Sequence, residues 1–439
     1  MFDSRFRWAG LAVLLVLWAG RGCFAAQAAP VDAQSAVLSI DQAVQLALSK
    51  SAAVQIARSE VKAARAGVSE ARAAEYPDVS GSIQYMHSTN VPAFQLGQEV
   101  LYLVPYDNTV GAITVRQAIY TGGAISGNIS REGALYDMAL SNLGVTQAQI
   151  ALQTRQAYYS VLLNQALVTS ARESLDAAQK QLTDANSRYE AGTAAEFDVL
   201  RAKTEVSQAQ QTLTQNLNQV EISRVALNRI VNVPLGTTYV FLEPGLAKST
   251  AESLQDLISK AEKQRAEVLG ARAQMKAAEY GVRVARSAGY PQVGISASYQ
   301  NLFNHDVSQV SGWAFVANVT QEIFDAGRIR ADVKQAKAMR EQAEISLQDT
   351  IQSVEQDVRQ AYLNLKTAQQ TLVTAQTNLA QASDAYDVAT VRYEAGVGTA
   401  TELADAFATL TAGRVNVDTG KVNVNLAFAA LQRAMGVTN

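Results

Sequence analysis

Residues 347–379 read LQDTIQSVEQDVRQAYLNLKTAQQTLVTAQTNL, and apolar side chains recur along them in alternating steps of four and three. The positions are Leu347, Ile351, Val354, Val358, Ala361, Leu365, Ala368, Leu372, Ala375 and Leu379. Such steps average 3.5 residues, the period of a left-handed coiled coil. The helical pattern extends over about 328–394, which would form a rod of roughly 100 Å. No globular core needs a helix of that length.

The same unit occurs earlier in the chain. Three landmarks are duplicated in the same order: Tyr-Pro at 76–77 and 290–291, Arg-Gln-Ala-Tyr at 155–158 and 359–362, and Arg-Tyr-Glu-Ala-Gly at 188–192 and 392–396. Only the segment after Tyr-Pro changes length between the copies, being longer in the first. We therefore predict a first repeat at 29–235, a Pro- and Gly-bearing linker at 236–252 and a second repeat at 253–439.

Each repeat should open with a helix, over about 39–75 and 253–288. Ser39 and Ser253 are suitable N-caps. Each helix should stop at its Tyr-Pro pair, because proline removes a backbone donor and restricts the residue before it.

Two strands should follow in each repeat, because the pattern changes to an alternation of apolar and polar residues. The apolar positions run over 79–85 and 113–119 in the first repeat, and over 293–299 and 313–319 in the second. Each repeat would then hold one β-hairpin with an apolar face and a polar face.

A long helix and a shorter returning helix should complete each repeat. Gly192 and Gly396 are suited to the left-handed cap that ends each long helix. The predicted bounds are about 124–190 and 328–394 for the long helices, and about 195–232 and 400–436 for the shorter ones.

The first 28 residues are typical of an export signal. Arg5 and Arg7 precede a short apolar run, and Ala26-Gln27-Ala28 offers a small-residue cleavage site. Lipidation of Cys23 is the alternative use of this segment. No other segment is long and apolar enough for a membrane helix, so any membrane span must be built from strands.

Composition excludes several functions. The formal net charge of −3 argues against nucleic acid, which selects basic surfaces. Cys23 is the only cysteine, so the exported chain would have no thiol for a disulfide or a metal. His87 and His305 are isolated and predicted to be surface residues rather than metal ligands. The chain has no phosphate-loop or nucleophile-elbow motif, so we predict neither an enzyme nor a cofactor.

Two hairpins supply four strands, which cannot close a barrel by themselves. An open strand edge is not tolerated in lipid, so a membrane sheet of this kind requires several chains. Two chains would give an eight-stranded barrel filled by side chains, and three would give about twelve strands and a wide lumen.

These features resemble the TolC family of outer-membrane efflux proteins. The resemblance covers nearly all of the chain after the export signal. The resemblance rests on the two Tyr-Pro strands, Gln117-x-Ile-Tyr-x-x-Gly123, Gln321-x-Ile-Phe-x-x-Gly327 and the two Arg-Tyr-Glu-Ala-Gly turns. The family usually has proline after each glutamine, whereas Ala118 and Glu322 stand here.

The resemblance implies a homotrimer with a 12-stranded β-barrel in the outer membrane, continuous with a long α-helical coiled-coil barrel in the periplasm. It implies a passive exit duct for tripartite efflux or type I secretion. The implied partners are a periplasmic adaptor, outer-membrane lipid, and an inner-membrane RND, ABC or MFS transporter.

The resemblance also points to residues at the helical tip. Glu402 and Asp405 match an acidic constriction ring, and they would share one helix face. Asp198 and Tyr393 match a contact that holds the tip shut. The family's other tip contact is missing, since Gly398 and Phe197 occupy its positions.

The turns between the long and shorter helices are the expected adaptor contacts. They comprise Gly192, Thr193, Gly396, Val397, Gly398 and Thr399. Ordinary hairpin-turn chemistry also explains these glycines. In the first repeat, Asp198 and Arg201 occupy the positions of the acidic pair, and we expect them to pair with each other. The alternative for the whole chain is an exported coiled-coil structural or adaptor protein without a membrane span.

Overall fold

The structure is a computed structural model that describes residues 36–90, 92–97, 99–102, 106–247, 252–303, 310–395 and 397–437. The predicted export signal with Cys23 lies outside the described residues, as do His305 and Gly396. Within the described residues, no helix combines the length and the apolar content that crossing a membrane requires.

Both repeats share the order helix, helix, strand, strand, long helix, returning helix. In chain order the helices and strands are β1 Ala36–Leu38, α1 Ile40–Lys50, α2 Ala52–Ala73, β2 Asp78–His87, β3 Ala93–Leu96, β4 Glu99–Tyr102, β5 Asp107–Tyr120, α3 Ala124–Glu190, α4 Glu196–Val231, β6 Tyr239–Phe241, α5 Leu254–Gln264, α6 Ala266–Ser287, β7 Gln292–Phe303, β8 Val310–Thr320, α7 Arg328–Glu394 and α8 Ala400–Ala434. Among the described residues, the first repeat has the additional short strands β1, β3 and β4, and the linker has β6.

The long helices α3 and α7 have the predicted bounds and bury the predicted seam. In α7, Val354, Val358, Leu365 and Leu372 are almost inaccessible to solvent. In α3, polar residues interrupt the seam but find hydrogen-bond acceptors. The Asn164 amide donates to the Gln219 carbonyl of α4 over 3.4 Å. The Thr154 hydroxyl donates to the Ile150 carbonyl over 2.7 Å. A coiled coil therefore forms in both repeats.

The first helix of each repeat is broken in two, so the prediction of one continuous helix is wrong. Ser51 separates α1 from α2 with ψ 133°, and Arg265 separates α5 from α6 with ψ 129°. Neither glycine nor proline marks these breaks. One residue in an extended conformation changes the direction of the helix axis. Buried residues on both sides of the break, such as Val44 and Val54, remain in the core.

A four-stranded antiparallel sheet forms at one end of the long helices, with the strand order β2-β5-β7-β8. Both predicted hairpins are present. The β5–β7 pairing joins the two repeats, and β2 and β8 form the edges. On the apolar face, Ile83 is 82% exposed and Phe315 is 79% exposed, so the single chain leaves this face uncovered. The longer first loop contains a further hairpin, β3–β4, that the sequence did not predict.

The linker between the repeats also has structure. Its strand β6 pairs in parallel with β1, joining the start of the first repeat to its end. The fully buried Tyr158 of α3 supports this junction. Its hydroxyl oxygen lies 2.8 Å from the Leu38 carbonyl oxygen and accepts from the Leu242 amide over 2.9 Å.

Candidate functional site

The tip of the first repeat turns as predicted. Gly192 has φ 74°, a left-handed conformation that suits glycine. The Gly192 amide donates to the Tyr189 carbonyl over 2.9 Å, and the Thr193 amide donates to the Arg188 carbonyl over 2.8 Å. These bonds satisfy the last carbonyls of α3, so local turn chemistry explains the glycine here.

The described part of the second tip has an additional amide bonded to the same carbonyl. The amides of Val397 and Gly398 both donate to the Arg392 carbonyl, over 3.0 and 2.9 Å. A Cβ at Gly398 would lie 3.0 Å from the Tyr393 nitrogen. A larger residue at this position would require the turn to shift.

Glu402 is engaged at the start of α8. Its amide donates to the Thr399 hydroxyl over 3.2 Å, and its carboxylate accepts from the Thr399 amide over 3.4 Å. This reciprocal pair is a capping box. The Arg392 guanidinium lies 3.8 Å away, and the Glu402 side chain is 54% exposed. Asp405 is exposed one turn further along α8, so both predicted ring carboxylates lie at the tip.

Asp198 has a different contact from the predicted one. Its carboxylate accepts from the Ala195 amide over 3.2 Å and so caps the start of α4, whereas the N-cap residue Ala195 has no side-chain acceptor of its own. Arg201 pairs with Glu205 instead, over 3.3 Å. The expected pairing of Asp198 with Arg201 is therefore wrong, since the cap holds Asp198 and Glu205 lies one helical turn after Arg201.

Tyr393 joins the two tips through a contact that the sequence did not predict. The Arg188 guanidinium lies 5.0 Å from the centre of the Tyr393 ring, close enough for a cation–π interaction. Both residues belong to the duplicated Arg-Tyr-Glu-Ala-Gly motif, which was the available signal. No hydrogen bond between Tyr393 and Asp198 occurs in the described part of the tip.

A groove of about 1000 Å³ separates the coiled coil of α3 and α4 from that of α7 and α8. The Arg414 guanidinium of α8 crosses it to the Glu173 carboxylate of α3 over 2.7 Å. Lys180 also lines the groove. The hydrogen bond with Asp176 raises the pKa of the Lys180 ammonium. The groove thus has a wall of ionised side chains beside the tip.

Comparison with known proteins identifies the family. The sequence model described as "Outer membrane efflux protein" matches residues 43–233 and 257–437, which is most of the chain.

Individual relatives are distant. OprJ of Pseudomonas aeruginosa is 25% identical over 321 residues, covering 70% of this chain and 65% of OprJ. The pyoverdine export protein OpmQ of the same species is 25% identical over 283 residues, covering 64% of this chain and 58% of OpmQ. TolC of Vibrio cholerae is 25% identical over 306 residues, covering 67% of this chain and 69% of TolC. The chain thus spans less than two thirds of the length of OprJ and OpmQ.

Solved structures share the fold. The CmeC outer membrane channel of Campylobacter jejuni superimposes with a TM-score of 0.79 at 16% identity, covering 91% of this chain and 86% of CmeC. VceC of Vibrio cholerae gives 0.76 at 18% identity, covering 90% and 96%. The fold is therefore that of TolC-type outer-membrane channels, and the chain belongs to the outer membrane efflux protein family.

Proposed function

We propose that this protein is the outer-membrane exit duct of a tripartite efflux or type I secretion system, and that three copies assemble into one channel. The observation that carries the proposal is the four-stranded sheet. It is open at both edges, apolar on one exposed face, and placed at the end of helices of 67 residues.

The open edges support a closed ring of chains. The helices next to the sheet have the same lateral order as the strands, since α2 packs on α3, α3 on α6, and α6 on α7. The strand edges β2 and β8 therefore continue into the helices α2 and α7. One interface along these edges, repeated three times, would give twelve strands with no unpaired edge in lipid.

The two faces of the sheet suit lipid outside and water inside. At the far end of the apolar face, the Trp313 ring lies 5.2 Å from Tyr299 and 6.1 Å from Phe315 between centroids. Such an aromatic cluster is typical of the girdle at a membrane interface. The opposite face carries small polar residues such as Ser80 and Ser296, which suit a water-filled lumen.

The tip would then be the gate. In a trimer, Glu402 and Asp405 would place six carboxylates around one axis, favouring cations over anions. The turns at 192–193 and 396–399 would contact a periplasmic adaptor. An inner-membrane RND, ABC or MFS pump would supply the energy, and the duct itself would be passive and without catalytic activity.

We also propose that a contact between Asp198 and Tyr393 latches the tip in the closed channel, and the pair of changes Asp198→Ala and Tyr393→Phe tests this latch. The change Tyr393→Phe keeps the ring contact with Arg188 and removes only the hydroxyl. We expect the double variant to conduct more current than the wild type in planar bilayers. Equal conductance would remove the latch from the proposal.

The function itself is tested by location, assembly and conductance. We expect the protein in the outer-membrane fraction, a heat-modifiable trimer band on gels, and single channels in planar bilayers. A monomer in the periplasmic fraction would instead indicate an exported coiled-coil adaptor or structural protein.

A further inference from the structure

A basic pocket lies where the sheet of the second repeat meets its helices. It has a volume of about 770 Å³ and is formed between the end of α6 and the start of α7. Its lining includes Arg286, Tyr290, Arg330, Lys334 and Lys337. Four cationic side chains thus converge on one cavity.

Within the described residues of one chain, these cations have no acidic partner. The lining contains no carboxylate. Across the described chain, no ion pair involves any of the four, whereas the adjacent Arg328 lies 3.5 Å from Glu322 and 3.7 Å from Asp332. Arg330 and Lys334 are one helical turn apart on α7, where like charges repel and destabilise a helix. A bound anion would offset this repulsion.

The scaffold does not require this charge. The positions in the first repeat that match Arg330, Lys334 and Lys337 are Ser126, Ser130 and Gly133. The glutamate beside them, Glu132, pairs with Arg131 over 3.1 Å. Both repeats nevertheless form the same strand-to-helix junction. The three cations of α7 are therefore an addition made only in the second repeat.

The position of the pocket relative to the sheet indicates its ligand. Strand β8 ends at Thr320 and β7 begins at Gln292, so the pocket starts directly below the sheet. If the sheet spans the outer membrane, which is the proposed function on which this inference rests, the pocket lies at the headgroups of the periplasmic leaflet. Those headgroups carry phosphates, which arginine binds through paired donors and lysine as a point charge.

We propose that this pocket binds the phosphate of an anionic phospholipid from the periplasmic leaflet, one lipid for each protomer. The aliphatic residues Ile329 and Val333, which also line the pocket, would contact the lipid next to its headgroup. Binding would tie the junction of sheet and helices to the membrane surface.

The test is native mass spectrometry of the full-length trimer in detergent, titrated with phosphatidylglycerol. We expect three retained lipids for each wild-type trimer. The variant Arg330→Ser, Lys334→Ser, Lys337→Gly installs the residues of the first repeat. It should bind about 100-fold more weakly, because each cation near an anionic lipid contributes roughly fivefold.

Two controls separate the pocket from general charge. Arg340→Ser, Arg359→Ser and Lys366→Ser remove the same charge from the same helix outside the pocket, and this variant should retain its lipids. Ser126→Arg, Ser130→Lys and Gly133→Lys should add up to three lipids, since a side chain at Gly133 meets open space. Equal lipid counts in the wild type and the pocket variant would overturn the proposal.

A third arm identifies the source of the phosphate. If inorganic phosphate at the same concentration displaces the lipid, the pocket binds a free anion and the lipid assignment is wrong. The mass of the complex and its conductance report separately on the proposed channel. Loss of lipid binding from an intact conducting trimer concerns this pocket alone, whereas a non-conducting monomer would contradict the proposed function.

Discussion

The two repeats have the same long helix and different joints. Helices α3 and α7 both contain 67 residues, and each follows a glycine with φ 90°. These joints are the break in the first helix, the turn from strand to long helix, and the start of the returning helix. Each of them is built from different residues in the two repeats. The length of the long helix is therefore a property of the repeated unit, whereas each joint can be built from different residues.

The joints differ most at the break in the first helix. Buried Arg265 occupies it in the second repeat, and buried Ser51 occupies it in the first. The Arg265 guanidinium donates to Asp357 over 2.6 Å and to Glu267 over 3.1 Å. These hydrogen bonds favour the charged form of the guanidinium, and although burial opposes it, the pKa of Arg265 is raised. Among the described residues, only the second repeat thus has a fully buried cation held by an ion-pair network.

The largest expected effect comes from removing that network. Arg265→Ser installs the residue of the first repeat, removes the cation of Asp357 and leaves Glu267 with Arg433 alone, 3.9 Å away. We expect the free energy of unfolding to fall by about 3 kcal/mol, the low end for removing one partner of a buried pair, because Glu267 and Asp357 are partly exposed. Thermal and urea unfolding followed by circular dichroism would measure it. Ser51→Ala is the matched control and should cost under about 1 kcal/mol. Equal losses in the two variants would show that the charge network contributes nothing.

The next effect concerns the turn from strand to helix. Gly122 has φ 62°, and a Cβ there would lie 2.7 Å from both the Ser287 carbonyl oxygen and the Tyr290 Cβ. Gly122→Ala should therefore destabilise the protein by about 2 kcal/mol through backbone strain and overpacking. The second repeat already has Ala326 at this position with φ 53°. Ala326→Gly should shift the melting temperature little. A large decrease in the melting temperature of that variant would contradict the predicted difference between the two turns.

A smaller effect is expected where the turn caps the long helix. The Asp325 carboxylate accepts from the amides of Ile329 and Gly327 over 2.7 and 2.9 Å, whereas the Thr121 hydroxyl accepts from Ile125 over 3.3 Å. The bonds from Ile329 and Gly327 lower the pKa of Asp325. Its stabilisation is therefore complete above the unfolded pKa and is lost as the pH falls through the lower folded pKa.

Asp325→Ala should accordingly lower the melting temperature at neutral pH and converge with the wild type in acid. Thr121→Ala should cost less and show no such convergence. A constant difference for Asp325→Ala down to pH 2 would refute a role for the carboxylate.

The smallest effect should appear in ion selectivity at the tip. Glu402 caps α8, so Glu402→Gln with Asp405→Asn removes the charge and keeps a side-chain acceptor for the cap. We expect the cation-to-anion permeability ratio to fall about threefold and block by multivalent cations to weaken. Installing the residues of the first repeat, Glu402→Asp with Asp405→Arg, should lower the ratio further. Wild-type ratios in both variants would exclude an acidic ring at these positions.

Local patterns in the sequence predicted most of the helices and strands of the fold. The 3.5-residue seam predicted the coiled coils of α3 and α7, the glycine turns predicted where these helices end, and alternation predicted both hairpins. Each periodic pattern reports which face of one element is buried. Duplication strengthened each prediction, since two copies had to agree. The left-handed conformation of Gly192 followed from its place after the last helical turn.

Contacts between distant residues could not be predicted in this way. Arg188 lies against Tyr393, and Tyr158 connects Leu38 to the linker at Leu242, yet no periodicity links these positions. The breaks at Ser51 and Arg265 were also hidden, because the apolar pattern continues through them. Arg330, Lys334 and Lys337 share one face of α7 through helical spacing, but Arg286 joins them only because α6 packs on α7.

Short-range periodicity and turn chemistry were enough to predict a duplicated unit, the length of its rods, its hairpins and its family. The three-dimensional structure was needed to establish how the repeats join through β5 and β7, which partners Asp198 and Arg201 take, and where the four cations without an acidic partner in the described chain meet. Those features depend on which surfaces pack together, and packing is decided by the whole chain rather than by any one segment.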